Sequence, residues 1–306
     1  MKIKAIAPWF GGKRNMARAI VEQLGPHKIY FEPMCGGLGV LFAKEPCSFE
    51  NVNDLHGDLT NLARVVQGSA APILYERLIA TLFCEGLLAD SRHFLADNPN
   101  PGHNLVTEVS IERAYHFFLC SWMARNGVAG TERDNYQIAV RWTKNGGSAT
   151  TRWRSAVDSI PAWHERLRSV VILNRDAFDI IPLFSDEADT AIYVDPPYTA
   201  ETRCFQAEGN KMKYRHEFTH RPVVVPLYGD CPADMDDHDR LRDMLAAFKK
   251  ARIVVSYYDC KRVRDLYRGW TFIDCKTTKT LAQQNKRSGA GPSVAPEVLI
   301  VNGPVF

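Results

Sequence analysis

The run Ala191-Ile192-Tyr193-Val194, followed at once by Asp195-Pro196-Pro197-Tyr198, constrains the fold more than any other stretch of the chain. Four apolar residues, rich in β-branched and aromatic side chains, read as a buried parallel strand. Pro196 pushes Asp195 toward an extended conformation. Neither Pro196 nor Pro197 has an N–H, so carbonyl oxygens leave the strand without competing donors. In an open α/β sheet, ligands bind outside the carboxyl ends of the strands. Asp195, Pro196, Pro197 and Tyr198 are therefore the candidate catalytic residues, because acceptors beside a flat ring suit an exocyclic amine on a planar base. A proline-terminated strand with a core tyrosine would read the same way, so the tetrapeptide alone does not decide.

A length of 306 residues allows one large domain with a smaller inserted one, and 45% hydrophobic with 24% charged residues is ordinary globular composition. No apolar run approaches the roughly 18 residues of a membrane helix, and the first residues are too short in their apolar part for a signal peptide. A cytoplasmic protein without membrane association is expected. The eight cysteines include no Cys-x-x-Cys pair and no His/Cys cluster with zinc spacing, so reduced thiols and no metal are expected. The net charge of +3 is unevenly spread: Arg125 to Arg154 carries six basic residues against two acidic, and Lys249 to Arg287 eleven against three. Two basic regions on a nearly neutral chain fit a polyanion groove; scattered solvated charge is the alternative.

Along the chain, Pro8-Trp9-Phe10-Gly11-Gly12-Lys13 precedes an expected helix with Asn15 as its cap, ending near Gly25. Backbone N–H groups and Lys13 could hold an anion there, although the spacing is not that of a P-loop. Ile29-Tyr30-Phe31 reads as a strand, followed by Glu32-Pro33-Met34-Cys35-Gly36-Gly37-Leu38-Gly39 and an expected helix start at Val40. Gly36, Gly37 and Gly39 let the backbone approach a ligand closely. Their spacing departs from the dinucleotide fingerprint and favours a smaller nucleoside cofactor. The next strand, Ser48 to Asn53, ends at Asp54, which is placed to take both hydroxyls of a ribose or, alternatively, to cap the following helix.

Helical spacing then recurs over 58–66, 73–83 and 111–124, with a loop at 98–102 and no further strand of the parallel sheet. Tyr136 to Trp142, turning through Lys144-Asn145-Gly146-Gly147, reads as a hairpin flanked by basic and aromatic residues. Such a finger suits a DNA groove. The sheet resumes at Val170 to Asn174, with Asp176 and Phe178 just beyond. Residues 199–236 read as a long irregular connection, 237–249 as a helix, and 252–259, 270–275 and 297–302 as strands. Between the last two, Lys286 and Arg287 stand in a basic, glycine-containing loop suited to phosphates.

Taken in order, these stretches resemble the adenine-N6 DNA methyltransferases of the Dam-like (D12) class, particularly phage-type members. Trp9-Phe10-Gly11-Gly12-Lys13 is similar to that family's amino-terminal motif, Glu32-Pro33-Met34-Cys35-Gly36-Gly37 to its cofactor turn, and Asn53-Asp54 to its second acidic motif. Asp195-Pro196-Pro197-Tyr198 resembles its catalytic motif, and Tyr214-Arg215-His216-Glu217-Phe218 and Glu297 to Asn302 resemble two later segments. The Phe218 to Asp236 stretch departs from the family pattern.

The resemblance implies an α/β class I S-adenosylmethionine-dependent methyltransferase, Rossmann-like with a mixed sheet and helices on both faces. Residues 1–56 and 168–306 would form the catalytic domain, and 57–167 an inserted helical and β-hairpin target-recognition domain. S-adenosyl-L-methionine would be held by Trp9, Lys13, Glu32, Pro33, Gly36, Gly37, Gly39, Asp54, Asp176, Phe178 and Asp195. Double-stranded DNA would meet Arg125, Asn126, Arg141, Lys144, Arg152, Arg203, Tyr214, His216, Lys286 and Arg287. N4-cytosine or RNA methylation on the same fold, or a catalytically silent DNA-binding module, are the alternatives.

Overall fold

The computed structural model describes residues 4–9, 11–98, 109–124, 138–140, 147–198, 206–208, 211–215, 222–226, 232–278 and 294–306. In chain order its elements begin with α1 (Ala17–Leu24), β1 (Ile29–Glu32), β2 (Phe49–Asn53), α2 (Gly57–Gln67), α3 (Ala71–Ile79), α4 (Glu85–Asp97) and α5 (Ile111–Met123). Next come α6 (Ala149–Val157), α7 (Ile160–Leu167), β3 (Val170–Leu173), α8 (Ala177–Ile180), β4 (Thr190–Val194), β5 (Gln206–Glu208), β6 (Lys211–Arg215) and β7 (Pro222–Pro226). The last are α9 (Pro232–Ala246), β8 (Arg252–Tyr258), α10 (Lys261–Leu266), β9 (Thr271–Thr278) and β10 (Val294–Val301).

Seven strands form a mixed sheet in the order β3-β2-β1-β4-β8-β10-β9, as the resemblance implied. The chain divides into two compact units, Met1–Val21 with Glu32–Ala177, and Glu22–Phe31 with Phe178–Phe306. In the second unit β1, β4 and β8 run parallel, and β10 runs antiparallel to both β8 and β9. Every residue of β4 is buried, as are Ile253 to Tyr257 of β8, which is why both sequences are continuous apolar runs and lack alternation. In the first unit β2 and β3 are parallel, with Asn53 opposite Leu173. Their shared direction brings the two following loops to the same end.

The core of the first unit centres on α5. Ser110 caps it by accepting the Arg113 N–H at 3.1 Å, and nine of its residues are buried. Phe118 meets Trp153 edge-on at 5.4 Å, while the buried Trp122 donates its indole N–H to the Ile6 carbonyl at 3.1 Å. That bond satisfies the indole and ties the amino-terminal segment to the helix.

Several local expectations are corrected. Asn15 closes a 3₁₀ turn, Lys13–Asn15, and is not a helix cap. No regular helix starts at Val40: residues 36–43 form successive turns, with Leu38 at φ +62° at their centre. The helix expected over 73–83 stops at Ile79, and a further helix, α4, follows from Glu85. Residues 199–236 are not wholly irregular. They contain β5, β6 and β7, ordered as a separate antiparallel sheet, and α9 begins at Pro232 instead of 237. The consecutive valines 223–225 are the strand signal there. Of the expected hairpin, Ile138 forms an antiparallel bridge with Ala124; Lys144, Asn145 and Gly146 lie outside the described residues. Among the described residues no helix is long and apolar enough to cross a membrane, and no group of three or more His, Cys, Asp or Glu is arranged to hold a metal ion.

Candidate active site

In the first unit two asparagines hold the loops that leave β1, β2 and β3. Asn53 donates to the carbonyls of Pro33 and Arg175 at 2.9 Å each, and its own side-chain oxygen accepts the Arg175 N–H at 2.9 Å. Asn174 donates to the Asp54 carbonyl at 2.7 Å. Asp54 sits within this frame, 9% exposed. Its Oδ2 accepts the Gly36 N–H at 2.7 Å and its Oδ1 the His56 N–H at 2.9 Å. The cap of α2 is not Asp54 but His56, whose Nδ1 accepts the Leu59 N–H at 3.3 Å. Each Asp54 oxygen therefore spends one lone pair on a backbone donor and keeps another acceptor position.

Trp9 joins the same cluster. Its half-exposed ring stands edge-on to His56 at 5.2 Å and covers Gly36 so closely that a Cβ there would lie 2.8 Å from the indole. Gly36 is also at φ +47°, and a Cβ on Gly37 would meet the Ala7 carbonyl at 2.6 Å. Glycine is thus demanded at both positions by the packing of the amino-terminal segment. At Gly39 a Cβ would be in ordinary contact, 3.4 Å from the Arg14 nitrogen. Lys13 is buried and donates to the Gly11 carbonyl at 2.6 Å. Glu32 and Pro33 are buried at the exit of β1. Burial pushes the Cys35 thiol well above its ordinary value, and the negative charges of Asp54 and Glu32 push it further. Two carboxylates thus act on this one turn. Asp176 is half-buried after β3. On α6, burial and then the charge of Arg14 lower the pKa of Arg152, which stays a cation at any working pH.

In the second unit Asp195 follows the last residue of β4. Its Oδ1 accepts the Ser256 hydroxyl at 2.7 Å, and the Ser256 Oγ lies 2.9 Å from the Tyr193 hydroxyl. Ser256 and Tyr193 are 0% and 1% exposed. Pro196 is buried, and the half-buried Tyr198 donates to Glu297 Oε1 at 3.0 Å. The Tyr198 ring lies 4.3 Å from that of Tyr258, tilted 52°. Burial raises the Tyr198 phenol well above its ordinary pKa, and the negative charges of Asp195 and Glu297 add to this, so the ring stays neutral. Phe178 is buried, with the Arg240 guanidinium 4.3 Å over its ring.

A family model for D12 class N6 adenine-specific DNA methyltransferases matches residues 9–281, nearly the whole chain. The chain belongs to this family. It is an enzyme that methylates N6 of adenine in DNA, and its mixed α/β sheet is the family's fold. No curated protein matches the chain. Of the residues expected in this D12 enzyme's site, Trp9, Gly36, Gly37 and Asp54 are brought together, and Asp195, Pro196 and Tyr198 stand at one strand exit. Arg125, Asn126, Arg141, Lys144, Arg203, His216, Lys286 and Arg287 lie outside the described residues, while Tyr214 belongs to β6. Sequence reasoning missed Asn174, His56, Ser256 and Glu297 as partners of site residues. For Ser256 a signal existed: a single hydroxyl within the apolar run Ile253-Val254-Val255-Ser256-Tyr257 requires a buried partner.

Proposed function

We propose that this D12 methyltransferase binds S-adenosylmethionine at the strand-end loops around Asp54 and receives an extrahelical adenine at Asp195–Tyr198. The observation that carries the reading is Asp195, a carboxylate whose Oδ1 accepts the Ser256 hydroxyl at the exit of a parallel strand, followed by two residues without N–H donors. The N6 lone pair of adenine is delocalised into the ring and is a poor nucleophile. Asp195 takes a hydrogen bond from one amino hydrogen and the Pro196 carbonyl takes the other, which favours a pyramidal nitrogen with a directed lone pair. This is positioning and preorganised electrostatics, without a covalent enzyme intermediate. Tyr198, held neutral, stacks on the base once it has left the duplex.

The donor set fits the cofactor. The two acceptor positions left on Asp54 match vicinal ribose hydroxyls, and the paired charges of Asp54 and Glu32 suit a cation. Bound S-adenosylmethionine supplies an electrophilic methyl on a sulfonium sulfur. Lys13, Pro33 and the Gly36–Gly39 turn would hold the methionine part, and Asp176 the adenine ring. Residues 57–167 form the target-recognition region, where Arg141, Lys144 and Arg152 meet DNA phosphates. Neutralising all three should reduce the salt slope of binding by about 2–3; an unchanged slope and affinity would remove them from the interface.

The test is to incubate the protein with duplex DNA and methyl-labelled S-adenosylmethionine, then digest the DNA to nucleosides. Label is expected in N6-methyldeoxyadenosine. Label confined to cytosine, or transferred to RNA but not DNA, would overturn the reading of the tetrapeptide, and absence of S-adenosylmethionine binding in equilibrium dialysis would overturn that of Asp54.

A further inference from the structure

Asp195 is anchored by a chain of two hydroxyls from neighbouring strands. The β4–β8 ladder pairs Tyr193 with Val254 and Val194 with Val255, so one further step places Asp195 opposite Ser256. Tyr193 and Asp195, two residues apart, share a face of the strand, and Ser256 lies between them. A serine hydroxyl has one proton. With that proton given to Asp195 Oδ1 at 2.7 Å, the 2.9 Å contact with Tyr193 has a single consistent direction, in which the tyrosine donates. Both hydroxyls are buried, so bulk water does not compete for them.

We infer that Ser256 is a positioning residue for methyl transfer, fixing the Asp195 carboxylate toward the substrate amine, with Tyr193 orienting the serine proton. This rests on reading Asp195 as the acceptor of the N6 hydrogens. A carboxylate turned about its Cβ–Cγ bond would present its lone pairs off the line of the amine. The Ser256 bond removes that freedom before substrate arrives, which is what preorganisation requires. The bond also favours the ionised form, the only form with both oxygens as acceptors. Among the described residues, Tyr198 lies in the field of Asp195, Tyr193 reaches it through Ser256, and Glu297 accepts from Tyr198.

Ser256→Ala and Tyr193→Phe test this by two independent readouts. The first is single-turnover methyl transfer against pH. Ser256→Ala should slow transfer about 10- to 100-fold and move the acid limb of the profile to higher pH, with affinities for DNA and S-adenosylmethionine unchanged. Tyr193→Phe should do the same to a smaller extent. The second readout is carboxyl titration by NMR of aspartate-labelled protein, with Asp195→Asn assigning the resonance. The Asp195 titration should move upward in both variants. A wild-type rate with an unmoved acid limb in Ser256→Ala would overturn the inference, as would a loss confined to KM. Should the wild-type protein transfer no methyl to adenine, the reading of Asp195 fails, yet the NMR titration still decides whether Ser256 holds that carboxylate. Should Ser256→Ala not fold, an unmoved titration in Tyr193→Phe overturns the inference.

Discussion

Asp54 and Asp195 each stand just beyond the end of a parallel strand, and each accepts a hydrogen bond of 2.7 Å, but the donors differ in kind. Asp54 is held by backbone N–H groups, those of Gly36 and His56, whereas Asp195 is held by a side chain, Ser256. Backbone donors are set by the fold, cannot titrate and survive any substitution that preserves the turn. They suit a carboxylate whose task is to bind. A hydroxyl chain suits a carboxylate whose orientation governs a reaction, and it can be altered one atom at a time. The two acids should therefore fail differently when removed. Asp195→Ala is expected to lower methyl transfer by about 10³-fold or more, with DNA affinity by gel shift retained. Near wild-type transfer by that variant would dissolve the distinction.

A third carboxylate sharpens the comparison. Glu50, on the same strand as Asn53 and the approach to Asp54, is fully buried and held by cations: Lys44 at 2.5 Å and Arg166 through both carboxylate oxygens, at 2.5 and 2.7 Å. Burial alone would raise the Glu50 carboxyl; the hydrogen bonds from Arg166 and Lys44 overcome this and leave it below the ordinary range. With its charge met by two cations, Glu50 is read as a structural acid. Arg166→Ala is expected to cost about 3–4 kcal/mol of stability in urea unfolding, because it strips a partner from a buried charge. A depressed folded pKa gives stability that is full above the unfolded value, about 4.3, and is lost as pH falls through the folded value. The gap between wild type and Arg166→Ala should accordingly narrow in acid.

Asp54→Ala follows in size. Removing hydrogen bonds to a charged group costs about 1.5–3 kcal/mol, so the dissociation constant for S-adenosylmethionine should rise about 10- to 100-fold while the rate at saturating cofactor changes much less. An equal fall in the saturated rate would give Asp54 a part in the chemistry and erase its difference from Asp195.

How much of this was legible beforehand follows from the range of each interaction. The strand Thr190–Val194 and its proline exit are local and were read directly, as were Val170–Leu173 and the acid at the end of β2. The choice between Asp54 as ligand and Asp54 as helix cap could not be made, because it turned on the neighbouring His56 taking the cap. The helix expected after the glycine turn is replaced by successive turns around Leu38, whose positive φ composition does not announce. Ser256 was read as part of a core strand, but its partner lies 61 residues away, and only the β4–β8 register brings the two together.

The smallest effect belongs to the Tyr198 hydroxyl, where ring and hydroxyl separate cleanly. The hydroxyl donates to Glu297 at 3.0 Å, and the ring lies beside Tyr258. If Tyr198 acts through its face, Tyr198→Phe keeps the stacking surface and loses one hydrogen bond, about 1 kcal/mol or roughly fivefold in transfer rate. Because the phenol's pKa is held well above 10, wild type and Tyr198→Phe should have the same profile between pH 7 and 10, with no alkaline limb lost in the variant. The raised value has a consequence for stability as well. Above about pH 10 the unfolded chain ionises this tyrosine freely and the folded chain does not, so wild type should lose stability there relative to Tyr198→Phe. A rate loss for Tyr198→Phe as large as that of Asp195→Ala would mean that the hydroxyl, and with it Glu297, takes part in the reaction, and the division between an acid that orients the amine and a ring that only stacks would not hold.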